Sequence, residues 1–228
     1  CGIVGYTGFR DAYDIVVNGL RRLEYRGYDS AGVVVESHDN KKLEIRKTKG
    51  KVDDLHAIAS DLHGIATVGM GHTRWATHGV PSDRNSHPHM SNNNKVALIH
   101  NGIIENYDTI KTMLVSKGFT FQSETDTEVL VNLIQYFMDT NAQMDFPTAV
   151  RYSLNEVYGA YAITVMHEDY PGVLVVGRLG SPLAIGLGDN EYFIASDASP
   201  FVEFTKEAVY LEEGHMAIIS TEKGVDIR

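Results

Sequence analysis

The chain contains a single cysteine among its 228 residues, so no disulfide can form within it and no Cys-rich zinc module is present. No apolar run approaches the roughly 18 residues of a membrane-spanning helix, and no basic segment followed by an apolar stretch suggests a secretory signal. Neither of the common glycine-rich phosphate loops occurs. These absences predict a cytoplasmic protein that uses no cofactor.

Basic residues are also scarce, with 20 Lys and Arg against 30 Asp and Glu, for a formal net charge of -10. Such a surface repels phosphate backbones and anionic lipids, which disfavours nucleic-acid and membrane partners. Hydrophobic residues make up 43% of the chain and charged residues 22%, as in ordinary globular proteins. The length suits one large α/β domain, so we predict that residues 1–228 form a single domain.

Hydrophobic periodicity predicts about five helices among many strands, and the late strands follow one another directly. This order fits two packed antiparallel sheets with outer helices better than a doubly wound parallel sheet. Helices are predicted at residues 11–20 (capped by Asp11), 52–62, 107–117, 125–138 and 146–157. Strands are predicted at residues 1–6, 31–35, 43–46, 67–72, 96–101, 160–167, 173–176, 183–187, 192–195, 208–211 and 216–220.

Cys1 is the strongest candidate for chemistry, because the only cysteine stands at the position that also carries an α-amino group. A thiol has a pKa near roughly 8.5 and needs a base, whereas an α-amine titrates near roughly 7.7–8.0 and is partly neutral at physiological pH. N-terminal nucleophiles use this self-contained pair. The alternative is a structural cysteine buried in a strand. No methionine precedes Cys1, so either the chain was cut there or an initiator methionine was removed.

The segment from His72 to Gly79 follows an apolar strand and contains Arg74, whose planar guanidinium suits a carboxylate. Thr77, His78 and Gly79 add a hydroxyl, an imidazole and a permissive backbone, which suits a small polar ligand. The alternative is a solvated turn in which Arg74 stacks on Trp75.

Two further polar segments carry candidate groups. Asn101 and Gly102 end a predicted strand and would offer a side-chain amide and a backbone N–H to an oxyanion. An Asn-Gly pair also favours a hairpin turn, which is the alternative here. In the second segment, Asp126 would bind an ammonium group, although acidic residues in a first helical turn also complement the helix dipole. Thr125 and Glu128 have the spacing of a capping box.

Several histidines lie close together in sequence and invite a metal interpretation. They are His72, His78, His87, His89 and His100. Their spacings match no helix-borne zinc pair, and no cysteine accompanies them. We therefore predict no metal site.

Together these segments resemble the N-terminal-nucleophile glutamine amidotransferases, in particular their glucosamine-6-phosphate-forming branch. The resemblance covers essentially the whole chain and shows no departure at a candidate catalytic residue. The matching segments are CGIVG at 1–5, RRLEYRGYDSAG at 21–32, HTRWATHG at 72–79, NGIIEN at 101–106, SETDTE at 123–128, SPL at 181–183 and ASD at 195–197.

The resemblance implies a four-layer α/β/β/α sandwich of the N-terminal-nucleophile hydrolase type. It also implies roles for residues. Cys1 would be the nucleophile with its α-amine as base, and Asn101 and Gly102 would form the oxyanion hole. Arg74 and Asp126 would bind the α-carboxylate and α-ammonium of glutamine. The remaining implied residues are Thr77, His78 and Gly79 in the pocket, Trp75 in a loop closing over substrate, and Arg26 with Gly27 near the N-terminus.

The implied activity is hydrolysis of L-glutamine to L-glutamate and ammonia, which a sugar isomerase domain absent from this chain would use to aminate fructose 6-phosphate. The residues leave three alternatives open: an amidotransferase serving purine or asparagine synthesis, a non-catalytic glutamine-binding domain, and a metal-binding protein. A homo-oligomer is also possible.

Overall fold

In the computed structural model, which describes residues 1–76 and 78–228, two antiparallel β-sheets pack face to face and carry helices on their outer faces. The helices are α1 (Ala12–Arg22), α2 (Val52–Ala59), α3 (Tyr107–Ser116), α4 (Asp126–Thr140) and α5 (Phe146–Glu156). The strands are β1 (Gly2–Thr7), β2 (Ser30–Glu36), β3 (Leu43–Lys49), β4 (Val68–Arg74), β5 (His89–Met90), β6 (Val96–Ile104), β7 (Gly159–His167), β8 (Leu174–Leu179), β9 (Ala184–Leu187), β10 (Tyr192–Ala195), β11 (Ala208–Tyr210), β12 (Met216–Ser220) and β13 (Gly224–Ile227).

The first sheet has the strand order β11-β9-β10-β1-β4-β2-β3, and the second has the order β13-β12-β8-β7-β6-β5. β1 is therefore an inner strand, paired antiparallel with β10 on one side and β4 on the other. β6 pairs antiparallel with β7 along its whole length. The N-terminal strand thus lies in the middle of its sheet, where both edges of its backbone are satisfied by hydrogen bonds.

Alternation of side chains along the strands produces the layers. In β1, Val4 and Tyr6 join an apolar cluster with α1 and α2, while Ile3 points the other way into the layer between the sheets. In β6, Leu98 packs with α4 and α5, and Ile99 faces the first sheet. Three apolar clusters among the described residues, two under the helices and one between the sheets, make the four-layer α/β/β/α arrangement that the resemblance implied.

The structure corrects some local expectations. Asp11 occupies the N-cap position of α1, but its side chain makes no capping bond and accepts instead from the N–H of Gly64 at 3.0 Å. Asn101 and Gly102 form no hairpin turn, because β6 continues through them and pairs with β7. The short strands β5 and β13 were not among the predicted strands. Among the described residues, no helix is both long and apolar enough to cross a membrane.

Candidate active site

The candidate site forms where β1 begins, β4 ends and β6 passes opposite them. Gly2 pairs with Thr73 across β1 and β4, which brings Cys1 beside Arg74. His72 and Arg74 alternate in step with Met70, so they point into the space between the two sheets, as Ile3 does. The pairing of β1 with β4 therefore brings together side chains that are far apart in sequence.

A cavity of about 200 Å³ lies at this meeting point. Cys1, Arg74, Trp75, Gly102 and Asp126, all predicted as site residues, line it. The other lining residues are His72, His87, His100, Ile103, Thr125 and Thr127. The structure thus brings a thiol, a guanidinium and a carboxylate from distant parts of the sequence around one small space.

Cys1 is held through both its side chain and its backbone. The N–H of Trp75 donates to the Sγ atom at 3.0 Å, and Arg26 Nε donates to the Cys1 carbonyl at 2.8 Å. Arg26 also lies 3.5 Å from a carboxylate oxygen of Asp197. Burial, together with the nearby Arg26 charge, lowers the pKa of the Cys1 α-amino group below its ordinary value of 8.0. More of this amine is therefore neutral near pH 7 than in an exposed N-terminus.

Arg74 is 3% exposed, and its guanidinium is only partly paired. Nη2 donates to the carbonyls of His78 and Gly79, whereas Nη1 has no hydrogen-bond partner among the described residues. Burial lowers the pKa of Arg74, while the carboxylates of Asp29 and Asp126 act in the opposite direction. A buried cation with a free donor at a cavity is suited to binding an anion such as a carboxylate.

Asp126 is the first residue of α4 and is 3% exposed. Its Oδ2 atom accepts from the N–H of Ile104 at 2.8 Å, which ties the carboxylate to β6. The Thr125 hydroxyl accepts from the Glu128 N–H, as the capping pattern predicted. The Glu128 carboxylate, however, bonds the N–H of Ser123 at 2.7 Å rather than that of Thr125. Glu128 therefore stabilises the loop before the helix, and Asp126 faces the cavity.

Asn101 and Gly102 lie side by side on β6 but differ in their relation to the cavity. Gly102 lines it, while Asn101 is buried next to it and is 6% exposed. Gly102 has a φ of 114°, and a Cβ atom there would come within 2.2 Å of the Ala160 carbonyl oxygen. Only glycine fits at this position.

The remaining predicted residues surround the site. Trp75 is 58% exposed, and a ring atom would lie 3.3 Å from a Cβ placed on Gly27. The carboxylate of Asp29 accepts from the N–H of Ala76 at 2.7 Å and anchors this segment. The ring of His78 packs edge-on against Tyr107 at a centroid distance of 4.8 Å. Thr77 lies outside the described residues, and closure of the Trp75 loop stays a prediction.

Sequence reasoning missed the buried side chains that support the site. His72, His87, His89 and His100, called here the histidine cluster, are all at most 5% exposed. Burial lowers the pKa of each, that of His72 to about 3, so they are neutral at physiological pH. His72 and His87 stack with ring centroids 4.1 Å apart. His72 lies on β4 and His100 follows the apolar run of β6, and these positions were the signal in the sequence that the two side chains are buried.

The histidine cluster does not assemble a metal-ligand group. Within the described part of the chain, the one group of three or more potential ligands whose ligand atoms all lie within 4.8 Å of one another consists of Asp11, Asp14 and His63. These residues lie on α1 and the turn beside it, away from the cavity. They are partly or fully exposed.

A larger cavity of about 350 Å³ lies beside the candidate site and is lined by Lys47 and Glu128. Lys47 Nζ donates to the carbonyls of Arg84, Ser86 and Pro88, and Glu128 accepts from Gln122 and Ser123. Both charges are therefore occupied within the protein. The smaller cavity, with its partly unpaired guanidinium, is the better candidate for a ligand site.

Comparison with known proteins gives concordant results. Residues 41–222 match the family described as "Glutamine amidotransferase domain". The glutamine–fructose-6-phosphate aminotransferase (isomerizing) of Bacteroides thetaiotaomicron is 53% identical over the whole chain, and that of Chlorobaculum tepidum is 50% identical over 96% of it. The chain spans only 37% and 36% of the lengths of these two relatives.

Solved structures agree on the fold. The glutamine phosphoribosylpyrophosphate amidotransferase of B. subtilis superimposes with a TM-score of 0.84 at 30% identity, covering all of this chain and 49% of that one. A glutamine aminotransferase class-II domain protein of Silicibacter pomeroyi superimposes over all of this chain and 98% of that one, with a TM-score of 0.67 at 15% identity.

Proposed function

The chain belongs to the glutamine amidotransferase domain family, and we propose that it hydrolyses the side-chain amide of L-glutamine to L-glutamate and ammonia at the cavity around Cys1. One observation carries the proposal. A thiol with its own α-amine, a buried guanidinium with a donor that is unpaired among residues 1–76 and 78–228, and a carboxylate all border one cavity of about 200 Å³. This set matches the reactive amide, the α-carboxylate and the α-ammonium of glutamine.

Arg74 and Asp126 bind the amino-acid end of the substrate in this proposal. Arg74 Nη1 donates to the α-carboxylate while Nη2 stays on the carbonyls of His78 and Gly79. The Asp126 carboxylate, held by the Ile104 N–H, accepts from the α-ammonium. A site that reads both charges rejects amides that lack either one, because a buried charge of the protein is then left unpaired.

The α-amine of Cys1 acts as the base. It takes the thiol proton as Sγ forms a bond to the carboxamide carbon, and the oxygen of the tetrahedral adduct accepts from the Asn101 amide and the Gly102 N–H. The adduct then breaks its C–N bond, and the protonated amine gives its proton to the departing ammonia. Water attacks the resulting γ-glutamyl thioester and the amine accepts a proton from it. The C–S bond then breaks to release glutamate, and the amine returns its proton to the Cys1 sulfur.

We further propose that the chain is one domain of a longer enzyme that uses the ammonia to convert fructose 6-phosphate to glucosamine 6-phosphate. The support is the 53% identity to an aminotransferase of that name, of which the chain spans 37%. Identity to the phosphoribosylpyrophosphate amidotransferase is lower, at 30%, which disfavours the purine branch. The sugar isomerase domain and the cytoplasmic location stay predictions.

The direct test measures glutamate released from glutamine by the purified protein. We expect turnover in the wild type, and none in Cys1→Ala or in protein whose Cys1 amine is blocked by a retained methionine. Turnover that survives either change would exclude the mechanism. Binding of glutamine with no turnover in the wild type would identify a non-catalytic binding domain instead.

Covalent labelling provides a second test. An electrophilic glutamine analogue should add one equivalent of mass to the wild-type protein, and peptide mapping should place it on the Cys1 sulfur. Excess glutamate, which competes for the same charged groups, should protect against labelling. Modification at another residue with the same protection would move the nucleophile elsewhere.

A further inference from the structure

The carboxamide of Asn101 is held at both of its ends. Its Oδ1 atom lies 2.9 Å from Nε2 of His72, and its Nδ2 atom donates to the Ser196 hydroxyl at 3.2 Å. The same hydroxyl accepts from the Ile3 N–H at 2.7 Å. Ile3 is in turn the register partner of His72 across β1 and β4. These four residues form a closed ring of contacts that links the nucleophile's strand to Asn101 on the opposite sheet.

The ring sets the orientation of the amide. A carboxamide oxygen only accepts hydrogen bonds, so Nε2 of His72 must carry the proton and donate. Burial lowers the pKa of His72 to about 3, so the ring stays neutral in the working range and keeps one fixed tautomer. Nδ1 of His72 has no hydrogen-bond partner among the described residues. Within that part of the chain, the bond to Asn101 is therefore the only hydrogen bond that the imidazole makes.

The ring of His72 is itself fixed in place. It stacks on His87 with centroids 4.1 Å apart and an interplanar angle of 11°. His87 accepts from the His100 N–H through Nδ1 at 3.3 Å, so its other nitrogen carries the proton and faces the Thr127 hydroxyl at 3.4 Å. The donor to Asn101 is thus supported by a packed and hydrogen-bonded layer.

We propose that His72 is a positioning residue for glutamine hydrolysis, which holds the Asn101 carboxamide with its N–H groups, not its oxygen, towards the oxyanion. This inference rests on the proposed function. One N–H of Asn101 is used by Ser196, and the second stays available for the tetrahedral adduct. Without the His72 donor, the amide is free to rotate and present its oxygen, whose partial negative charge opposes the oxyanion.

Two substitutions test the proposal. His72→Phe keeps a planar ring against His87 but removes the donor, whereas His72→Gln keeps an amide N–H close to the position of Nε2. We expect His72→Phe to lower kcat about 10- to 100-fold. This loss is no larger than the roughly 10²–10³-fold loss typical of removing an oxyanion donor, because Asn101 itself is still present. KM for glutamine should stay within about 2-fold because Arg74 and Asp126 are untouched. His72→Gln should recover most of the lost kcat.

A double variant separates positioning from a general structural effect. If His72 acts through Asn101, His72→Phe should cost little further activity in an Asn101→Ala background. Additive losses in kcat would overturn the proposal, and so would a kcat for His72→Phe equal to that of the wild type. Thermal unfolding of each variant identifies loss of fold, and His72→Met, which also lacks a donor, replaces the phenylalanine variant if the latter does not fold.

The wild-type and Cys1→Ala proteins distinguish failure of this inference from failure of the proposed function. A wild type that releases no glutamate overturns the function, and the inference with it. An active wild type and an inactive Cys1→Ala, combined with unimpaired His72→Phe, overturn the role of His72 alone.

Discussion

Replacing Arg74 by lysine keeps the positive charge but removes the planar fork of donors. In the wild type, Nη2 serves the carbonyls of His78 and Gly79, and Nη1 is left for a ligand. The three donors of a lysine ammonium would be drawn to the same carbonyls, so the variant loses about one charge-assisted hydrogen bond to the α-carboxylate. Such a bond contributes about 1.5–3 kcal/mol, which is about 10- to 150-fold in affinity.

We expect KM for glutamine to rise by this factor and kcat to change little, because the α-carboxylate keeps its charge throughout the reaction. The assay is initial-rate glutamate formation over a range of glutamine concentrations. Arg84→Lys is the matched control, since Arg84 is 65% exposed and its pair with Glu124 at 3.3 Å lies outside the cavity. The control should change KM by less than about 2-fold.

A substrate amide without the α-carboxylate sharpens the test. In the wild type it should react about 10- to 150-fold less efficiently than glutamine, by the same hydrogen-bond energy. In Arg74→Lys, removing the α-carboxylate from the substrate should lower the efficiency much less, because the hydrogen bond from Arg74 to that carboxylate is already lost. An equal penalty in both proteins, or an unchanged KM in a folded Arg74→Lys, would refute the assignment of Arg74 to the carboxylate.

Three other changes test the electrostatics and the backbone. Arg26→Gln removes a charge that lowers the pKa of the Cys1 amine, so the acid limb of the kcat/KM profile should move to higher pH, while Arg26→Lys should leave it in place. Gly102→Ala should destabilise the protein and abolish turnover, whereas Gly118→Ala, at a φ of 95° with open space around it, should show only backbone strain of about 1–2 kcal/mol. The histidine cluster should make stability fall with acid: burial holds the pKa of His89 well below 6.5, so its contribution is complete above pH 6.5 and is lost as the unfolded chain takes up protons at lower pH. His89 should contribute a loss of stability on the order of 1 kcal/mol between pH 7.5 and 5.5 in urea unfolding, and His89→Gln should remove that loss.

Each of these predictions has a result that contradicts it. An acid limb that does not move in Arg26→Gln would show that the titrating group is not the Cys1 amine. Equal effects of the two glycine substitutions would show that contact with the neighbouring carbonyl is unimportant. A pH dependence of unfolding that His89→Gln leaves unchanged would show that the pKa of this histidine is not lowered in the folded protein.

Residue chemistry and resemblance sufficed to choose the candidates at the centre of the site. Cys1, Arg74 and Asp126 each carry a functional group that the proposed reaction requires, and each stands at or within two residues of the end of a predicted element. Alternation and periodicity likewise predicted the two-sheet architecture, because burying one face of a strand or helix leaves a pattern within a few neighbouring residues.

What the sequence did not predict depends on contacts between distant segments. Ser196 meets Asn101 only because β1 lies beside β10, a pairing that follows from the whole sheet order. The Asn101-Gly102 pair has the local preference of a hairpin turn, yet pairing with β7 keeps it in an extended strand. The Asp11 carboxylate caps no helix because the N–H of Gly64 is a competing donor. In each case a long-range partner outweighed the local signal.

The groups assigned to the proposed reaction are divided between the two sheets. Cys1 and Arg74 belong to the first, while Asn101 and Gly102 lie on β6 of the second, to which Asp126 is bound through the Ile104 N–H. Apolar side chains in the layer between the sheets, such as those of Met70 and Ile99, therefore set the distance between these two sets of groups. A change in the volume of one such side chain shifts Cys1 and Arg74 relative to the groups on the second sheet. Evolutionary drift in this layer should accordingly proceed by compensating pairs, with a larger residue in one sheet matched by a smaller one in its counterpart.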